Sequence, residues 1–562
     1  MASVPSARPQ SLSALTAQLT VVQRRFDESS IIEHEHVLAA LANVDPTSAR
    51  AAQHLHDALL FSLAYAPTAN IYDLADQVLK RCSAWIGTHA ADDDRLSNSG
   101  LPDTPILASF SRALATWLVH HAPGRVSVDA SYAPSDTAVP DLVLTLDPTE
   151  QEMLVARPTT WESWCRDVLR TDDGIEILHR TLALSRRLPG SVTFVEQLWA
   201  RWNVVLRWQT SMADAVYGLA RPSIAPVAWH HDGLVRHVSL EQAFAQGAPK
   251  PIRCTSAQRT QLCDVAKGVL ASMQRETDPV THADEAATEL FDMGRGLAIA
   301  LYYARPEQKM SLQSYVGYMA FKNRVPIAYG GGWVMGAESG FGVNIFPPFR
   351  GGESSNIVAQ LLRLYAHHFG VRSFTVDPYQ IGAGNPDGIA SASFWFYYRL
   401  GFRPMQDDLA ELARREFELL TTSREARTSR SVLRTLANAS MRWTHPDATA
   451  KPITADAMAE VVAAYVEEHA DGDRRKALRR ALARLSGRTG ERYGEGDAIA
   501  RIAVLLVACG YVDTASAAAI RSFVRDYRGK FVDERTYCRR AVRHTLLYDC
   551  LHRAEQALRN PL

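Results

Sequence analysis

From Ser314 to Ile345 apolar and small residues recur at period two, with turn residues where a strand would have to reverse. Ser314 to Phe321 is strand-like and Asn323-Arg324 makes a tight turn. Val325, Ile327, Tyr329, Gly331, Trp333 and Met335 then alternate, Gly336 to Gly340 turns again, and Phe341, Val343 and Ile345 resume the alternation. Gly296 to Ala304 reads as a further strand. Side chains of a strand point to opposite faces in turn, so this stretch is expected to fold as an antiparallel meander.

The meander has a defined end. Pro347-Pro348 cannot donate to a ladder and stops the last strand. Arg350-Gly351-Gly352 follows as a turn, and Glu353 to Phe369 is expected to be a helix. Ile357, Leu361 and Tyr365, with Val358, Leu362 and Phe369, fall on one side of it, and Gly370 is a natural C-cap. Val371 to Asp377 is a short strand. Strand, helix, strand at this spacing makes a parallel crossover. Asp387 to Leu400 reads as helix up to Gly401, and Phe402 starts a final extended piece.

Outside this region the pattern is helical. Ser11 to Arg25, His54 to Tyr65 and Ile71 to Ile86 carry apolar residues at helical spacing, with one short strand at Arg125 to Asp129. The expected class is α+β. A mixed-sheet domain over residues 251–410 follows a mainly helical region, 1–250. It precedes a linker and helix, 411–450, and an all-helical domain, 451–562.

Charge narrows the function. Lys plus Arg and Asp plus Glu are 61 each, which argues against a dedicated nucleic-acid binder. The seven cysteines are scattered and never spaced as CxxC, as expected of thiols in a reducing compartment and not of a zinc site. The longest apolar run, Ile502 to Cys509, is far shorter than a membrane span, so a cytoplasmic protein without a metal is expected. Arg474 to Arg488 is a basic amphipathic helix; beside an acidic stretch it reads as a salt-bridged surface rather than a site for RNA or lipid.

Chemistry concentrates between Pro347 and Gly370. A strand ends, a glycine turn follows and a helix begins, so backbone N–H groups and the helix dipole are placed to hold a pyrophosphate, with Arg350 adding charge. Two motifs carry a resemblance. Tyr397-Tyr398-Arg399-Leu400-Gly401-Phe402 and Pro348-Phe349-Arg350-Gly351-Gly352, set behind a meander, resemble the helix end and phosphate loop of the GNAT acetyltransferase superfamily over residues 254–405.

The resemblance implies that two central strands splay apart around the pantetheine arm of acetyl-CoA or another acyl-CoA. Ile345, Phe346, Arg350, Gly351, Gly352, Ser354 and Ser355 would then hold this co-substrate. Amides from Asn344 to Phe346 would stabilise the oxyanion, and Tyr397 would protonate the departing thiolate. For a base, Asp377 at a strand end stands ahead of Glu338 and Glu353. The chain departs from the pattern at Glu353 and Ser355, where the family has glycines. A carboxylate facing a pyrophosphate is repulsive, so either Glu353 points away or acyl-CoA binding is altered.

Arg275-Glu276-Thr277-Asp278-Pro279, Phe321-Lys322-Asn323-Arg324-Val325-Pro326 and Asp377-Pro378-Tyr379-Gln380 resemble pieces of long bacterial proteins of unassigned role; the resemblance implies that Arg275, Glu276 and Asp278 line the acceptor side, and a salt-bridged helix end before Pro279 is the open alternative. The leading expectation is an acyl-CoA-dependent N-acyltransferase acting on a small-molecule or peptide amine. Two alternatives stay open: the same fold with aminoacyl-tRNA or an acyl carrier protein as donor, and a GNAT-derived scaffold that no longer catalyses.

Overall fold

A computed structural model describes residues 11–89, 94–152, 159–275, 277–423, 425–448 and 453–559; Glu276 lies outside them. The architecture is mixed α+β, built around a nine-stranded sheet in the order β11-β12-β10-β9-β8-β7-β6-β5-β4. Its strands are β4 (Lys250–Ile252), β5 (Glu289–Gly294), β6 (Leu297–Tyr303), β7 (Ser314–Lys322), β8 (Val325–Met335), β9 (Glu338–Ile345), β10 (Ser373–Val376), β11 (Arg403–Pro404) and β12 (Met441–Thr444). Neighbours pair antiparallel except β9 and β10, which run parallel.

The meander forms where the alternation places it. Asn323 and Arg324 both take positive φ, 46° and 70°, as a two-residue hairpin between right-twisted strands requires. The Ser354–Phe369 helix carries the chain from β9 to β10 and ends on Gly370 at φ 79°. Glycines let flanking segments seat on the sheet. A Cβ on Gly332 would lie 2.5 Å from the Tyr365 ring, whose hydroxyl donates to Val316 O at 2.7 Å. A Cβ on Gly317 would lie 2.6 Å from Pro279 O. The Asp278–Thr281 turn therefore rests directly on the strand.

Three expectations need correction. The expected helix over 387–400 is two short helices, Pro386–Ala390 and Ser393–Arg399, broken at Ala392 with φ 51°. Residues 411–450 are more than a linker and helix, because β12 lies inside the sheet between β10 and β11. The N-terminal region holds a second, three-stranded antiparallel sheet of β1 (Pro105–Ser109), β3 (Val205–Gln209) and β2 (Val126–Val128). It has a core of its own around Trp164, Trp199, Trp202 and Trp208.

The helices Leu12–Val22, Glu28–Leu41, Ala49–Ala64 and Ala69–His89 share one hydrophobic core with the large sheet. The C-terminal helices, from Ala455 to Arg559, dock through buried Lys530, which donates to the carbonyls of Leu312 and Gln313. The Tyr527 hydroxyl adds a bond to Ser311 O at 2.8 Å. The basic Arg474–Thr489 helix is tied to acids at its surface, Lys476 to Asp471 and Arg484 to Asp513. All seven cysteines are unpaired. Among the described residues no helix is long and apolar enough to cross a membrane.

Candidate active site

β9 and β10 pair only at their starts, through Ser373↔Glu338, Phe374↔Ser339 and Thr375↔Gly340. β10 then ends, because Pro378 opens a short helix and cannot donate to a ladder. β9 runs on to Ile345, so Phe341 to Ile345 face a gap where a neighbour would otherwise lie. Gln380, from the turn after β10, reaches into this gap. Its Oε1 accepts from the Val343 N–H at 3.3 Å and from the Tyr397 hydroxyl at 3.5 Å. The Gln380 side chain lies over Gly342, where a Cβ would be in ordinary contact with its amide nitrogen at 3.4 Å.

Tyr397 is buried, with its ring against Phe396 and Phe402, and burial pushes its phenol above the ordinary value. At neutral pH it keeps its proton and is a donor, not a base. Tyr398 points elsewhere, packing on Trp395 and Phe417 beneath the Arg403 guanidinium. Asp377 sits on the exposed chain just past β10 and makes no cap bond to the helix that follows. Glu338 lies at the closed end of the strand pair, bonded to Arg442 at 2.9 Å, and so stands away from the gap.

The loop after β9 is held from below. Phe349 is fully buried and anchors a single turn over Pro347–Phe349. Gly351 takes φ 73°. Gly352 passes so close to the Ala49–Ala64 helix that a Cβ would lie 3.3 Å from Phe61 and from the Tyr65 hydroxyl. Arg350 is exposed and donates from Nε to Ile345 O at 3.1 Å. Arg24, from the N-terminal helices, donates to Gly351 O at 3.3 Å and lies over the Phe61 ring. Burial and the nearby Arg236 lower its pKa.

Glu353 resolves the departure at the loop. Its carboxylate is 1% exposed and turned into the protein, 2.7 Å from Lys322 Nζ, with the Val235 N–H at 2.9 Å and Arg295 at 3.5 Å. Burial lowers the Lys322 pKa to about 8 against the opposing pull of Glu353. Glu353 stands at the N-cap position of the Ser354–Phe369 helix without a side-chain cap bond. Among the described residues nothing accepts from the N–H groups of Ser354, Ser355 and Asn356; the first backbone bond of the helix is Ile357 N–H to Glu353 O. Three donors and the positive end of the dipole are therefore left at a half-buried surface formed by Ser354 and Ser355.

Tyr397 reaches the gap through Gln380, Arg350 bonds back to Ile345, and Gly351, Gly352, Ser354 and Ser355 follow along the loop into the helix start. Two expectations change. Phe346 is buried against Tyr217 and Tyr329, and its N–H is bonded to Ile327 O at 3.0 Å, so it is closed to a ligand. Strand alternation turns the Asn344 N–H the same way. The amide that faces the gap is that of Val343, and alternation gives Ile345 the same edge. Sequence reading gave no role to Gln380, Lys322 and Arg24, which sit far along the chain from the residues they serve.

Comparisons of the chain with protein-family models, with curated proteins and with solved structures found no match.

Proposed function

We propose that the chain is an acyl-CoA-dependent N-acyltransferase of GNAT type. The observation that carries this reading is the parting of β9 and β10 beside a helix start whose amides meet no acceptor among the described residues and whose adjacent Glu353 carboxylate is turned inward. A diphosphate meets these donors, and a thioester arm lies along the free edge of β9.

In the reaction an amine nitrogen attacks the thioester carbon. The carbon–nitrogen bond forms, the tetrahedral intermediate collapses, and the carbon–sulfur bond breaks. The departing thiolate takes the Tyr397 proton, and the proton released by the amine passes to Asp377 or water before Tyr397 is restored. The product is an amide and a free thiol. Holding both reactants in line supplies most of the rate.

The test is stabilisation of the full chain by candidate donors. At one hundred times its dissociation constant a ligand adds about 2.7 kcal/mol. Stabilisation by acetyl-CoA and CoA is the expected result. A response only to an acyl carrier protein or aminoacyl-tRNA moves the donor to that class. Silence with every donor favours a scaffold and removes the acyl-CoA reading.

A further inference from the structure

One oxygen atom of this protein lies where two convergent donors meet. Gln380 Oε1 accepts from the Val343 N–H, on a strand edge that has lost its neighbour, and from the Tyr397 hydroxyl. A backbone amide and a buried phenol aimed at one point form a receptor for a single carbonyl oxygen, and Gln380 fills it with a carboxamide. A primary amide is the closest side-chain likeness of an acyl group, with a planar carbon, a carbonyl oxygen and a third substituent.

The bonds are long. At 3.3 and 3.5 Å they sit at or beyond the edge of good geometry, where N–H···O and O–H···O contacts centre near 2.9 and 2.8 Å. The side chain is half-buried and belongs to a four-residue turn, Pro378–Ile381, so it can leave by rotating its own torsions. Without an occupant the Tyr397 hydroxyl, on a residue 3% exposed, would be left buried without a partner, which is costly.

We infer that Gln380 is an internal place-holder for the acyl carbonyl: its amide satisfies Val343 N–H and Tyr397 in the free protein and swings out when the thioester carbonyl takes the same two bonds. This rests on the acyl-transfer reading. Gln380 is a positioning residue that competes with the acyl group of the donor and not with its nucleotide.

That difference supplies the test. Dissociation constants for acetyl-CoA and for CoA are measured by calorimetry on the full-length protein and on Gln380→Ala and Gln380→Glu. Removing a competitor that makes one or two weak hydrogen bonds tightens acetyl-CoA by roughly 3- to 10-fold and leaves CoA unchanged. In Gln380→Glu a carboxylate holds both donors more strongly, so acetyl-CoA weakens while CoA again stays constant. Equal changes for the two ligands, or a weaker acetyl-CoA complex in Gln380→Ala, overturn the place-holder. Should Gln380→Ala fail to fold, an unaltered acetyl-CoA to CoA ratio in Gln380→Glu overturns it alone. If neither ligand binds the unaltered protein, the acyl-CoA reading itself falls and the place-holder with it.

Discussion

Replacing Glu353 with glutamine removes the negative charge facing Lys322 in a site where the two residues are 1% and 0% exposed. The amide still accepts from the Val235 N–H, and Arg295, 36% exposed at its side chain, still reaches water. Lys322 has no such outlet. Breaking one partner of a buried pair costs about 3–5 kcal/mol. Lys322 is already drawn down to about 8 with the carboxylate present. Without it the ammonium sheds its proton near neutrality, which holds the loss toward the lower end, about 3 kcal/mol.

The loss sits at one buried pair, so the assay is local. Amide hydrogen exchange in β7 and in the Ser354–Phe369 helix should quicken by roughly a hundredfold for that loss. Adding Lys322→Met to Glu353→Gln should restore part of the protection, because no uncompensated charge is then buried and the amide still accepts from the Val235 N–H. Affinity for CoA should not rise in Glu353→Gln, because the carboxylate faces away from the cradle. Exchange within about threefold of the parent, or CoA binding tightened severalfold, would refute the inward orientation of Glu353.

Tyr397→Phe should lower turnover by roughly 10²- to 10⁴-fold while sparing affinity for CoA, measured as kcat against the dissociation constant of CoA, which carries no acyl carbonyl; unchanged turnover removes the phenol from the mechanism. Burial depresses His34 from 6.5 to about 4. The unfolded chain binds this proton as pH falls through about 6.5 and the native one does not until about 4, so about 3 kcal/mol of stability present above pH 6.5 is lost across that window. His34→Gln should flatten the acid limb of a urea-midpoint profile between these values. Gly332→Ala places a Cβ 2.5 Å from the Tyr365 ring. Overpacking of this kind costs about 1–3 kcal/mol, and a thermal scan should show it together with a reduced response to CoA as the helix shifts.

What the sequence made legible was local. The meander from Ser314 to Ile345 could be read because period-two alternation and turn residues at Asn323-Arg324 are properties of adjacent residues. The Ser354–Phe369 helix was legible for the same reason, down to its glycine C-cap. β12 was not, because Met441 to Thr444 is four residues long and its partner Ser373 to Val376 lies far back in the chain. β1 and β3 hid in the same way, pairing across about a hundred residues of helix and loop. The kink at Ala392 broke an apolar pattern that reads as continuous helix.

At the site, the glycine turn and Tyr397 were visible as motifs. The direction of the Glu353 carboxylate was not, since it depends on Lys322 across the sheet and Val235 in a remote loop. Gln380 was visible within Asp377-Pro378-Tyr379-Gln380 but carried no role, because a glutamine in a turn looks like any solvated residue until β10 stops short beside β9.

The late arrival of β12 bears on how the protein is made. Synthesis delivers β9, the crossing helix and β10 long before Met441 to Thr444 appear, so β10 waits with one bare edge and the splayed strands lack their outer support. A bare edge is a template for pairing with other nascent chains. Release of a chain cut short between residues 376 and 441 should therefore yield aggregates rather than a smaller folded protein.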